Sequence, residues 1–251
     1  MRNLFCPRLN SWLLACLFVL FVVAARADAE ETLPKMKEDN QLFSFFLFDL
    51  LEYQGGKNLD QLRWDVVGWA GGDYNRLWFK TEGQADTDKA TAEFQLLYGR
   101  LIAPFWDLQA GIRHDRVYGS GTADARTFAI IGVQGLAPYW FDVEPWIAIS
   151  EDGDVSARVT VEYDLLLTQR LILQPRLEID AAVQKVERFG IGSGINDIEA
   201  GLRLRYEIRR DFAPYVGVNW KRLVGQTAEL ARRDGDEVEK LSVVAGVRLW
   251  F

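Results

Sequence analysis

Sulfur and imidazole are nearly missing from this chain. Its two cysteines, Cys6 and Cys16, fall within the first sixteen residues; His114 is its one histidine, and Met36 its one methionine after Met1. Once the start of the chain is removed on export, neither a disulfide nor a thiolate metal centre can form. Long uncharged apolar runs are also absent after residue 27, so no membrane helix is expected. Basic residues are in deficit, with Lys and Arg at 29 against Asp and Glu at 36. Residues 1–27 hold Arg2, Arg8, Arg26 and no acid, so the remainder has 26 bases against 36 acids and a net charge of −10. That excludes nucleic acid as a partner, because phosphate binding needs a basic face. An acidic balance fits cation handling and plain solubility equally well.

What is present begins with a targeting segment. Arg2 and Arg8 form a positive start, residues 12–23 an apolar run, and Ala25-Arg26-Ala27 a small-x-small cleavage pattern. We expect a cleaved signal peptide over 1–27, a short periplasmic tail over 28–41 and one folded domain over 42–251. Leu13-Leu14-Ala15-Cys16 also has the form of a lipoprotein signal, but the apolar run continues through Leu17, Phe18, Val19 and Leu20, as the interior of a signal sequence does.

The folded part alternates with a period of two. Ile198, Ala200, Leu202, Leu204, Tyr206 and Ile208 share one strand face, with Asp197, Glu199, Arg203, Arg205, Glu207 and Arg209 on the other. Residues 155–165 and 171–181 repeat the pattern. The spacing predicts strands over 42–53, 60–70, 73–84, 90–101, 104–115, 124–136, 139–150, 154–166, 169–182, 195–209, 212–224 and 240–251. The first of these has phenylalanines on both faces. Strands of this length span a bilayer, and nine tryptophans could furnish interfacial girdles. Every second connection is expected to be short, as at Gly71-Gly72 and Arg210-Asp211. Five of the other six run longer, as at 54–59, 116–123, 183–194 and 225–239, while Glu151-Asp152-Gly153 is short. Short periplasmic turns and long outer loops mark transmembrane barrels. The expected fold is all-β: an antiparallel up-and-down transmembrane β-barrel of about 12 strands. It would sit in the outer membrane of a Gram-negative bacterium with both termini periplasmic and lipid around it. Phe251 ends the last strand on its oily face, where an aromatic serves as a signal to the barrel assembly machinery.

Several segments resemble the copper resistance protein B family of outer-membrane proteins. They include Leu62-Arg63-Trp64-Asp65, Gly71-Gly72-Asp73-Tyr74-Asn75-Arg76-Leu77-Trp78, Pro104-Phe105-Trp106-Asp107, Ala137-Pro138-Tyr139-Trp140-Phe141 and Phe212-Ala213-Pro214-Tyr215. The resemblance covers about residues 49–251. It implies a role in copper tolerance, with copper ions bound or passed and periplasmic copper-binding proteins as partners. It also implies a Met- and His-rich stretch before the barrel, but residues 28–41 hold only Met36 and no histidine.

Candidate metal ligands are therefore His114, Asp115 and, weakly, Met36. By parity His114 faces the lipid rim and Asp115 the lumen. Cu(I) prefers sulfur whereas Cu(II) accepts nitrogen and oxygen, so any intrinsic site is expected to take Cu(II), with His114 as the one imidazole. Parity lines the lumen with Glu93, Asp107, Asp142, Glu144, Glu162, Asp164, Glu178 and Glu199. Interleaved with them are Arg63, Arg113, Arg126, Arg158, Arg176, Arg203 and Arg205. These charges read either as a carboxylate-lined cation path or as a salt-bridge network filling the bore of a narrow pore or structural barrel without a copper role. Inward Trp78, Trp140 and Trp146 favour an occluded bore. An enzyme is not expected. Arg116 stands two residues beyond His114, Ala125 and Thr127 face it from the next strand, and no nucleophile–base pair with an orienting third group is visible.

Overall fold

The computed structural model describes residues 41–56, 59–87, 89–119 and 124–251. The expected signal peptide and tail, Met36 included, lie outside the described residues except for Gln41. The strands are β1 (Phe43–Gly56), β2 (Leu59–Gly71), β3 (Asn75–Ala85), β4 (Ala90–Ala103), β5 (Trp106–Tyr118), β6 (Asp124–Ala137) and β7 (Phe141–Ser150). They continue with β8 (Val155–Tyr163), β9 (Leu165–Leu166), β10 (Leu171–Ala182), β11 (Gly194–Tyr206), β12 (Phe212–Leu223) and β13 (Glu239–Trp250). Pairing is antiparallel throughout, and β1 pairs with β13, so the sheet closes on itself. β8 and β9 both pair with β10 and form one wall strand interrupted at Asp164, which makes a 12-strand barrel. Closure leaves no unpaired sheet edge, as hydrocarbon requires.

The alternation sorts the side chains. Leu96, Ile112, Ile131, Ile147, Leu202, Val218 and Val243 are exposed on the outer surface. In water so broad an apolar band would be a liability; in a bilayer it is the solvent-matched face. Tyr74, Tyr98, Phe105, Tyr139, Trp140, Tyr206 and Phe251 form an exposed aromatic girdle at the end where β1 starts and β13 finishes. Among the described residues no helix is long and apolar enough to cross a membrane.

Four local features differ from the sequence expectation. Trp140 does not point into the bore: residues Pro138–Trp140 form a 3-10 turn with Tyr139 and Trp140 both at φ 69°, which breaks strand parity and leaves Trp140 72% exposed in the girdle. Asp49 is an extra residue opposite β2, a bulge between Phe48 and Leu50. This bulge flips the parity of β1, so Leu47 and Asp49 line the bore before it and Glu52 after it. The strands also run further outward than expected, so the 54–59 loop shrinks to the link between β1 and β2, and among the described residues the long connections are 183–193 and 224–238. The latter holds a helix, α1 (Gly225–Asp234), which buries Thr227, Ala228, Leu230 and Ala231. Gly235, in the left-handed region at φ 84°, ends it by donating its N–H to the carbonyls of Ala231 and Arg232.

Candidate functional site

Inward residues come from every wall strand, so the bore is the one place where the charged faces converge. The structure places all eight carboxylates expected in the lumen on the inward face, and cations meet most of them. Arg63 on β2 reaches across to Glu199 on β11, and Lys80 on β3 reaches Glu144 on β7 at 2.5 Å. Arg176 on β10 reaches Asp65 on β2 at 3.1 Å and also holds Glu162 at 3.0 Å and Glu178 at 3.3 Å. Closer strands supply further pairs. Arg113 holds Glu93 on the adjacent strand at 2.9 Å, while Arg76 holds Asp107 at 3.2 Å and Arg205 holds Asp164 at 2.7 Å, each across one intervening strand. Asp142 alone among the eight makes no ion pair with the described residues.

The network is larger than sequence parity foresaw. Asp65 and Glu82 were reachable by the same parity as Arg63 and Lys80. Glu52 was not, because its inward position depends on the Asp49 bulge. Arg203 grips Glu52 with two hydrogen bonds of 2.8 Å, and their side chains are only 2% and 0% exposed. The bore is also less uniformly polar than expected. Trp78, Leu97, Phe128, Ile130, Trp146 and Ala148 pack into an apolar cluster on the β3–β7 side. Strands apolar on both faces, such as β6, carry no periodic signal that would reveal this. Arginines join the two regions: Arg113 stacks over Phe128 and Trp146 at 5.0 and 4.8 Å from the ring centroids, and Arg158 over Trp146 at 5.0 Å. Such desolvated cation–π contacts contribute about 1–2 kcal/mol each.

Among the described residues the bore holds an inner and an outer cavity. The inner one, about 280 Å³, opens beside the girdle and is lined by Asp49, Asp65, Glu82, Asp142, Glu144 and Glu162 against Lys80, Arg158, Arg176 and Arg248. Carboxylates outnumber cations there. Asp142 and Glu162 face each other directly across β7 and β8, a like-charge pairing that is unfavourable unless a cation compensates it. The outer cavity, about 300 Å³, balances its charges and is roofed by Phe189 and Ile191 of the 183–193 connection. Phe189 stacks on Arg126 at 4.5 Å, and α1 braces that connection through Thr227, whose hydroxyl accepts the Gly192 N–H at 2.9 Å. Beyond the membrane, Lys185 holds the Glu187 carboxyl below its ordinary value through a hydrogen bond.

His114 and Asp115 are not brought together. The His114 ring lies on the outer face with Nδ1 3.0 Å from the Thr127 hydroxyl. Asp115 points inward and is held by the Arg113 guanidinium at 2.6 and 2.7 Å. Among the described residues no group of three or more His, Cys, Asp or Glu could hold a metal ion. Thr127 is one of the two neighbours that parity set opposite His114 on the next strand, and no carboxylate or amide of the described residues orients the ring.

A closed antiparallel sheet with an apolar exterior, an aromatic girdle and a charged interior defines an outer-membrane β-barrel protein. Residues 42–251 match the family model described as "Copper resistance protein B precursor". The chain is 45% identical over 214 residues to copper resistance protein B of Escherichia coli, covering 85% of this chain and 71% of that one. It is 43% identical over 214 residues to a copper resistance protein B homolog of Pseudomonas syringae pv. tomato, with the same coverage. The chain therefore belongs to the copper resistance protein B family. Among solved structures it is similar to the KdgM porin, at TM-score 0.49 and 13% identity over 83% of this chain and 99% of that one. It is also similar to outer membrane phospholipase A from Escherichia coli, at TM-score 0.49 and 12% identity over 82% and 92% of the two chains.

Proposed function

We propose that the barrel serves copper resistance by admitting Cu(II) to its bore and passing it between the periplasm and the exterior, without catalysing a reaction. The observation that carries this reading is the carboxylate excess of the inner cavity, in a chain whose family is defined by copper resistance. Carboxylate and water ligation suits a transit site, since conduction needs binding strong enough to enter and weak enough to leave. A scarcity of sulfur and imidazole then fits the role. Periplasmic copper-binding proteins would exchange ions at the inner mouth, and the barrel assembly machinery would insert the chain. The dense cross-bore ion pairing favours the second reading, a narrow pore or structural barrel with no copper role.

Cu(II) titration of the mature barrel, read by electron paramagnetic resonance, separates the two. Asp142→Asn combined with Glu162→Gln is expected to weaken Cu(II) binding about tenfold, a loss of about 1.4 kcal/mol. The spectrum should show oxygen ligation, and His114→Ala should leave it unchanged, because His114 faces away from the cavity. Nitrogen coupling that vanishes in His114→Ala would move the site to the outer face. Equal affinity in the carboxylate variant would favour the second reading.

The proposed orientation, with the girdle end periplasmic, has its own test. The cysteines the chain does have lie in the expected signal peptide, so single cysteines can be introduced at exposed positions. Glu237→Cys, beyond α1, should react with an impermeant maleimide on intact cells, and Asp73→Cys, in the turn between β2 and β3, should not. The opposite labelling pattern would invert the barrel.

A further inference from the structure

We propose that Arg158 forms the closed septum of the bore and that ions pass only when its contact with Glu82 is broken. The inference rests on the reading of the bore as a path. Glu82 and Arg158 are the two residues that line both cavities. They meet from opposite walls, Arg158 projecting from β8 and Glu82 from β3, through an ion pair of the Arg158 Nη1 with the Glu82 Oε1.

The guanidinium is anchored on both sides of the bore. Its Nε lies 2.9 Å from Asp180 and 3.5 Å from Glu178, on the adjacent strand β10, and its Nη2 lies 3.7 Å from Glu93 on β4. Trp146 supports its face. The side chain is 14% exposed, lines both cavities and has partners on β3, β4 and β10, so it occupies the space between the cavities. A guanidinium is planar, permanently charged and able to form several hydrogen bonds in one plane, which suits a plug that must hold several carboxylates at once. The contacts divide unequally by geometry. Those to Asp180 and Glu178 run along one wall and can persist while the head swings toward β10. The contacts to Glu82 and, more loosely at 3.7 Å, to Glu93 cross the passage and have to break. A cation arriving from the inner cavity would compete for Glu82 and favour that swing, so the septum would respond to the ion it blocks.

The test uses the full mature protein in planar bilayers and in chelator-loaded liposomes. Glu82→Gln removes the nearer of the two crossing charges and leaves Arg158 its pairs with Asp180 and Glu178. Arg158→Gln with Glu82→Gln withdraws one charge of each sign and keeps the bore balanced if Arg158→Ala alone does not fold; folding is checked by heat-modifiable migration. Potassium conductance is expected to rise severalfold in the double variant and by less in Glu82→Gln. A folded double variant conducting at the parent level overturns the septum. The two readings fail separately. Raised potassium conductance with no Cu(II) entry above protein-free liposomes upholds the septum and removes the copper path. Cu(II) entry through the parent that Asp142→Asn slows and the septum variants leave unchanged upholds the path and removes the septum.

Discussion

Phe251→Asp is expected to lower the amount of folded, heat-modifiable barrel in the outer membrane more than tenfold, which would need about 1.4 kcal/mol if stability alone were responsible. Stability cannot account for that much. The Phe251 side chain is 65% exposed in the girdle, and a charge near the interface of a membrane barrel costs only about 0–1 kcal/mol, with acids at the low end. Its backbone role survives the substitution. The Phe251 N–H donates to the Phe46 carbonyl at 2.8 Å, and the Phe46 N–H donates to the Phe251 carbonyl at 3.1 Å, a pair that clasps β1 to β13 where the barrel closes. A large loss would therefore reflect failed recognition by the assembly machinery. Two controls isolate that step. Trp140→Asp places the same charge in the same girdle, in the turn between β6 and β7, and should assemble nearly normally. Phe251→Asp protein refolded from urea into detergent, without any machinery, should fold close to the parent yield. Normal outer-membrane yield of Phe251→Asp, or equal loss in Trp140→Asp, would remove the recognition role.

The wall of this barrel was legible in the sequence because membrane strands have two chemically opposed faces. β8, β10 and β11 were visible as alternation, and Ile198 with Arg203 and Arg205 pointed where parity put them. Parity says which way a side chain faces but nothing about what it meets. The pairs of Arg63 with Glu199 and of Lys80 with Glu144 join strands far apart in the chain, and only closure of the sheet brings them together. Parity also fails wherever an extra residue enters. The Asp49 bulge moved Glu52 inward, and the positive φ angles at Tyr139 and Trp140 turned Trp140 outward. α1 was missed because 225–239 reads as a loop between strands; its contact with the 183–193 connection through Thr227 and the burial of Ala228 and Leu230 are tertiary effects. The candidate site is of this second kind. Its carboxylates were foreseen singly, whereas the two cavities, their unequal charge and the Arg158–Glu82 contact between them exist only in the assembled bore.

Glu52→Ala is expected to destabilise the barrel by about 3–5 kcal/mol, since removing one partner of a buried ion pair strands the other charge. The Arg203 side chain is 2% exposed and both its hydrogen bonds to a carboxylate go to Glu52. The pair ties β1 to β11 across β12 and β13, the strands next to the closing seam. Gln54, whose amide donates to Glu52 at 2.8 Å, would lose its acceptor as well. Space for the guanidinium comes from Gly201, where a Cβ would stand 2.4 Å from Arg203 Nη1. Gly201→Val should therefore weaken the same contact, though by less, since the end of a flexible side chain can yield. The double variant Glu52→Leu with Arg203→Met decides between a general packing defect and an unpaired charge. Apolar replacement of a whole buried pair is often close to neutral, so the double variant should recover most of the loss. Guanidinium-induced unfolding in detergent, followed by tryptophan fluorescence, measures all four proteins. If the double variant is as unstable as Glu52→Ala, the loss comes from altered packing near the seam, and the Glu52–Arg203 charges are not what holds it.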